Sequence, residues 1–264
     1  MNTKVLLFFL LAISISEQAI SADIVRGEQI ATEMEKRTTG FKPFSVSATL
    51  LSVGKDGTET FPRALHIRVM DSTEKDAGYL TFIEVTAPAS IRGMAYLTLS
   101  QMKRSNIQWR YDTARVRKIA IVDPKGSFLE SEFSYEDLAD QEVHKFSYAY
   151  LRDEPCGALT CFVLERMPRK ESAYEKQVVW VDGAEYRVQK AELYGKAGIV
   201  VKTITVSGYQ KVQDRFWWPD VVELKNAASG RVSRIRYAGY KVDTDVTRNV
   251  FNPSLMRENR AADN

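Results

Sequence analysis

The sequence predicts a mainly β protein of the α+β kind, built on an antiparallel sheet that is partly covered on both sides. Three observations carry this. Short alternating segments recur with turn signals between them, and repeated hairpins imply antiparallel pairing. One helical pattern stands near the N-terminus. Several segments are apolar on both faces, where an antiparallel sheet ordinarily keeps one face wet. DRFWWPDVVELK makes the last point most sharply. Trp217 and Trp218 are neighbours, so in a strand one indole goes to each face.

The elements follow in order. Lys4, the apolar run Val5–Ile15 and small residues up to Ala22 read as a secretory signal peptide, residues 1–22, cut after Ala22. Residues 23–264 are then expected as one exported, periplasmic domain. No cysteine follows the cut, so no lipid attachment is expected there. The net charge is +3, and losing Lys4 and Glu17 together leaves it unchanged. So mild a balance gives no argument for nucleic acid as a partner, even with basic residues gathered in RYDTARVRKIAIVDPK.

Ala22 to Gly40 reads as a helix, with Ile24, Ile30, Ala31 and Met34 as its stripe and Gly40 as its stop. About a dozen strands follow, from FSVSATLLSV to RVSRIRYAGYKV. Their faces divide by parity. Leu80 and Phe82 oppose Ile83 and Val85. Met94 and Tyr96 oppose Leu97 and Leu99. Val178 and Trp180 oppose Val179 and Val181. Trp218, Val222 and Leu224 oppose Trp217 and Val221. Pro219 lacks a ladder donor and should mark a strand start or an edge. Two explanations stay open: a cavity closed by a lid, or a sandwich or filled barrel whose two sides are both core.

Residues 123–142 interrupt the rhythm. Ser134 and Asp137 suit the first turn of a short helix. Phe128, Leu129 and Phe133 stand out in this polar stretch as a candidate lid. Glu130, Glu132, Glu136, Asp137, Asp140 and Glu142 crowd it without matching a calcium-loop spacing, so a solvated face is expected and no metal. Cys156 and Cys161 flank a hairpin turn, and in an oxidising compartment a disulfide across it is expected. A redox or zinc motif fits this spacing badly. His66 and His144 have no partner motif, and the chain lacks GxSxG, HExxH and a phosphate loop. The expectation is no enzyme, no catalytic residue and no cofactor.

SIRGMAYLTLS, QWRYDTARVRKI, KGSFLESEFSYEDL, RFWWPDVVELKN and NVFNPSLM, in this order, resemble the outer-membrane lipoprotein-sorting-like proteins. These are periplasmic LolA/LolB-like relatives of lipoprotein carriers, often grouped under an uncharacterised-domain name. The resemblance runs from the first helix to Leu255, with residues 91–138 its most specific part. The paired tryptophans and the cysteine hairpin depart from the family pattern. The resemblance implies an unclosed antiparallel β-barrel with helices or a lid packed in its mouth, and a cavity for acyl chains. It also implies a lipid or an acylated lipoprotein as partner, transient membrane contact, and company with resistance-nodulation-division (RND) type exporters. On this implication the cavity lining is expected at Phe82, Leu97, Trp109, Trp180, Trp218 and Val222. Trp217 would pack under a neighbouring element or face a partner.

Burying a whole sixteen-carbon chain at about 0.8 kcal/mol per CH₂ would contribute roughly 12 kcal/mol before ordering costs. A shuttle working without ATP must therefore bury its cargo in part and open through a movable element. The rival to a carrier is an accessory or sensor module bound to an exporter or a stress regulator, with no cargo.

Overall fold

A computed structural model describes residues 3–72, 77–101, 104, 106–112, 115–119, 123, 125–139 and 142–257. The helix α1 (Thr3–Thr38) leads into β1 (Phe44–Val53), β2 (Glu59–Asp71), β3 (Ala77–Ala87), β4 (Ala95–Gln101), β5 (Ile107–Asp112) and β6 (Arg115–Ile119). After the insertion come β7 (Phe146–Cys156), β8 (Leu159–Pro168), β9 (Lys176–Asp182), β10 (Val188–Tyr194) and β11 (Val200–Ser207). A small ribbon, β12 (Gln210–Val212) and β13 (Phe216–Trp218), precedes β14 (Val221–Asn226) and β15 (Val232–Val242).

Thirteen of these strands form one antiparallel sheet, in the order β6-β5-β4-β3-β2-β1-β15-β14-β11-β10-β9-β8-β7. The end strands β6 and β7 do not pair with each other, so the barrel is unclosed. The ribbon β12–β13 leaves the sheet as a separate pair. Pro219 sits between β13 and β14, where no ladder donor is needed.

The helix runs through the expected cut after Ala22. Its inward stripe is Ile30, Ala31 and Met34, while Ile24 is exposed. It lies on the edge strand β7. Gly27 permits the approach, because a Cβ there would stand 2.8 Å from the Tyr150 backbone nitrogen. Glu28 accepts a hydrogen bond from the Tyr148 backbone N–H, and Arg169 donates to the Phe146 carbonyl. Two edge groups that could recruit another strand are thereby occupied.

Within the main sheet the parity expected from sequence holds, and each face has its own cover. Inward-facing residues make two clusters. One runs over β1–β4, β14 and β15 and includes Phe44, Leu50, Leu65, Val85, Tyr96 and Leu224. The other runs over β7–β10 and includes Tyr148, Leu164, Val179, Val181 and Leu193. On the outer face Leu80, Phe82, Leu97 and Tyr111 are covered by Val246, Val250, Phe251 and Met256 from the C-terminal turns. Val163, Val178, Trp180 and Cys161 form a further outer cluster. The Cys156–Cys161 disulfide is present beside it, closing the β7–β8 hairpin.

The insertion is a tie between the two halves. Phe128, Leu129 and Phe133 are 2%, 8% and 1% exposed, within the first inner cluster. They are core, not exposed apolar residues on a lid. The reason is local. The Phe128 N–H donates to the Phe133 carbonyl, and Ser127 bridges Ser134, so a tight loop drives both rings inward. Ser134 and Asp137 exchange the expected capping bonds, Ser134 N–H to Asp137 Oδ2 at 2.7 Å and Asp137 N–H to Ser134 Oγ at 3.3 Å. The described residues there make turns and no helix.

Glu130 is exposed, as expected of a solvated face, whereas Glu132, Glu136, Asp137 and Glu142 are partnered. Glu132 pairs with Arg231 and Asn226. Glu136 accepts from Ser172 and from the Ala173 N–H, and Asp137 from Tyr174 and Lys202. Glu142 accepts from Ser100 and pairs with Lys145. Asp140 lies outside the described residues.

Candidate functional site

Between the two inner clusters the concave face is not filled. A cavity of about 1130 Å³ lies there, just above the usual range for small-molecule pockets, roughly 300–1,000 Å³. One wall is the last part of α1, with Met34 and Thr38. The facing wall comes from the second half of the sheet, with Tyr148, Val188, Ala191 and Ile204. Tyr79, from the β2–β3 end, and Trp217, Trp218 and Pro219, from the ribbon and its exit, complete it.

The sequence places the two tryptophans here through separate devices. Trp218 enters an aromatic cluster, 4.8 Å from the Phe44 ring and 5.5 Å from Phe41, centroid to centroid. The Tyr240 hydroxyl donates to the Pro219 carbonyl at 2.6 Å and fixes the ribbon's exit. Trp217 lies beneath Arg187, whose guanidinium carbon is 4.7 Å from the ring centre. Arg187 is itself held by Asp182 at 2.7 Å. Asp182 also accepts from the Ala184 and Glu185 N–H groups and from Gln189. Burial would raise its pKa, but these donors and the Arg187 cation outweigh burial and hold it below the usual carboxylate value.

The mouth is charged and internally tied. Arg37 pairs with Glu33 at 2.8 Å and with Glu185 at 3.3 Å, joining α1 to the β9–β10 turn. Gln213 at the ribbon tip exchanges two 2.8 Å hydrogen bonds with the Lys42 backbone. Arg215 reaches the Lys36 carbonyl near the end of α1.

Of the six residues expected to line one cavity, the structure brings two to the concave face. Trp218 lines the cavity, and Val222 packs on the first inner cluster. Phe82, Leu97 and Trp109 belong to the outer cluster under the C-terminal turns. Trp180 belongs to the outer cluster at the disulfide, its indole N–H on Glu154 at 3.1 Å. These four are therefore corrected to the outer face. Alternation groups residues by side without saying which side is concave. Trp217 also lines the cavity, so both indoles serve it.

The sequence reading missed Tyr148 and Arg166 on the wall. The signal was there: in LERM, Arg166 shares its parity with the inward Leu164. His66 faces outward, in register with Glu84, and burial lowers its pKa. His144 is exposed. Among the described residues no group of His, Cys, Asp and Glu is arranged to hold a metal ion.

A family model described as an uncharacterized protein matches residues 78–258. No curated protein matches the chain. Among solved structures, a domain described as an outer-membrane lipoprotein-sorting protein from Vibrio parahaemolyticus is 29% identical, with a TM-score of 0.84 over 89% of this chain and 99% of that one. A DUF1329 family protein from Desulfovibrio piger is 23% identical, with a TM-score of 0.81 over 89% and 99%. A LolA superfamily protein from Nitrosomonas europaea is 21% identical, with a TM-score of 0.66 over 86% and 97%.

Proposed function

The chain belongs to the family of outer-membrane lipoprotein-sorting-like, LolA/LolB-like proteins, and from that premise we propose that it is a non-enzymatic carrier of lipid or lipoprotein acyl chains. The observation that carries the reading is the unfilled, largely apolar-walled volume between α1 and the sheet. An acyl chain laid along Met34, Val188, Ala191 and Ile204 gains about 0.8 kcal/mol for each CH₂ it buries. The Arg37 and Arg215 ties at the mouth are of the exposed kind that contribute little each, so they can break without large cost.

With Phe128 and Phe133 in the core, opening falls to α1 and the β12–β13 ribbon rather than to the insertion. We place the carrier in the periplasm, as a single domain of residues 23–264, on the strength of the signal-like leader. Among the described residues no helix is long and apolar enough to cross a membrane. An exporter-bound module without cargo would have no use for this volume.

Native mass spectrometry of protein taken from the periplasm tests the reading. One added mass of a lipid or fatty acyl species is expected. A bare mass that stays bare after incubation with mixed lipids would contradict it.

A further inference from the structure

Among the described residues, two hydrogen-bond donors at the cavity have no acceptor. They are the indole nitrogens of Trp217 and Trp218, both buried, on residues that both line the cavity. Trp218 is packed against Phe41 and Phe44, and Trp217 carries Arg187 and Lys211 on its ring, contacts that supply no acceptor oxygen to either indole. An indole N–H only donates, and a buried donor left unpaired costs more than an ordinary hydrogen bond contributes. The ribbon that carries both indoles is built to shift. It pairs with itself and not with the main sheet. Its turn holds Gln213 and Asp214 at φ 55° and 57°, left-handed backbone that residues other than glycine adopt at a cost. The Gln213 clasp on the Lys42 backbone keeps the turn in place. Releasing that clasp lets the indoles move toward a ligand and opens no ladder of the main sheet.

The wall says which acceptor suits them. Its acidic and basic residues balance in number, and Arg37 is tied to Glu33 and Glu185, Arg187 to Asp182, and Glu142 to Lys145. An anionic headgroup would shed its water there for no net attraction. A carbonyl oxygen is neutral, loses less on leaving water, and accepts from N–H groups. We propose that Trp217 and Trp218 donate to ester or amide carbonyl oxygens at the heads of bound acyl chains, so that the cargo is an esterified or amide-linked lipid and not a free fatty acid. This rests on the carrier reading and names its cargo class. Pairing donors that otherwise stay unpaired should favour a carbonyl-bearing ligand by about tenfold over one of equal chain length without the carbonyl.

The test displaces a fluorescent acyl probe from the full chain with two matched pairs of compounds. Dioctanoylglycerol is set against its dioctyl ether counterpart, which has the same chains and no carbonyl. Methyl laurate is set against laurate, which carries the charge. Dioctanoylglycerol is expected to displace about tenfold better than the ether, and methyl laurate at least as well as laurate. Trp217→Phe and Trp218→Phe keep an aromatic ring and remove one donor each. Each should cut the preference for the ester a few-fold and leave the ether nearly unchanged. NMR of wild type labelled with nitrogen-15 in tryptophan gives a readout that needs no variant to bind. Of the four indole N–H resonances, the ester should move two downfield, as a hydrogen bond does, and the ether should not. Equal displacement by ester and ether, with no downfield movement, overturns the proposal and leaves the carrier reading standing. So do variants that weaken ester and ether alike, since that is what merely structural tryptophans predict. Tighter binding of laurate than of its methyl ester overturns the choice of a neutral head. If neither the fluorescent probe nor any competitor binds, this proposal and the carrier reading fall together.

Discussion

On the concave side of β1–β4, the rings and chains of Phe44, Leu50, Val85 and Tyr96 are met by Phe128, Leu129 and Phe133 from the insertion. On the concave side of β8–β11, Leu164, Val179 and Ala191 are met by α1, which offers Ile30, Ala31 and Met34. Both halves are inward faces of one sheet with one alternation. The first is filled by large aromatics on a tight loop. The second is roofed by a helix standing on an edge strand, and a volume remains beneath it. The sheet thus makes two equivalent apolar faces, and the covering segment decides which becomes core and which becomes a site.

The comparison is broken most severely at the filled half. Phe128→Asp places a charge where the ring is 2% exposed. A loss of about 4 kcal/mol is expected, seen as a fall of roughly 10 °C in thermal midpoint. An unchanged midpoint would return this segment to the role of a movable lid, as its polar surroundings suggest in sequence.

The next effect is at the wall. Asp182 organises the turn that carries Arg187 onto Trp217. Asp182→Asn should cost about 2 kcal/mol near pH 7, measured by urea unfolding. The folded-state pKa lies below the ordinary 3.8, so this stabilisation is present above that value and is lost as pH falls through the lower, folded one. The gap between wild type and variant should therefore close in acid below pH 3.8. A gap that persists there assigns the loss to packing instead.

Val188→Trp sharpens the contrast from the open side. The indole occupies part of the cavity, so acyl-probe affinity should drop by about tenfold or more. Stability should move by less than about 1 kcal/mol, because space already exists. A large loss of stability would mean that this half is packed like the other. The smallest effect is expected from His66→Gln with His144→Gln, which should leave probe binding unchanged. Loss of binding with the fold intact would give the histidines a role that the cavity geometry does not.

Much of this was legible in the sequence, and the limit is instructive. Parity separated Phe82 from Val85, Leu97 from Tyr96 and Trp180 from Val179, and the structure keeps those divisions, whereas Trp217 and Trp218, on the separate ribbon, both reach the cavity. It did not say which set faces inward. That depends on the hand of curvature and on what covers each face, and neither leaves a period in the chain. The C-terminal NVFNPSLM is too short to announce itself as the cover over Phe82 and Leu97, yet Phe251 and Met256 fill that place. Arg166 was visible as a charge at an inward position, but its place beside Tyr148 and Gln177 across the ladder was not.

The paired tryptophans allow the central claim to be measured directly. The chain holds four tryptophans, two on the cavity and two in outer clusters. A fatty acid brominated along its chain quenches indoles that it touches. The account predicts quenching in wild type that is lost in Trp217→Phe with Trp218→Phe and retained when Trp109 and Trp180 are replaced by Phe. Quenching that survives loss of the pair Trp217 and Trp218, or its absence in wild type at saturating lipid, would contradict it.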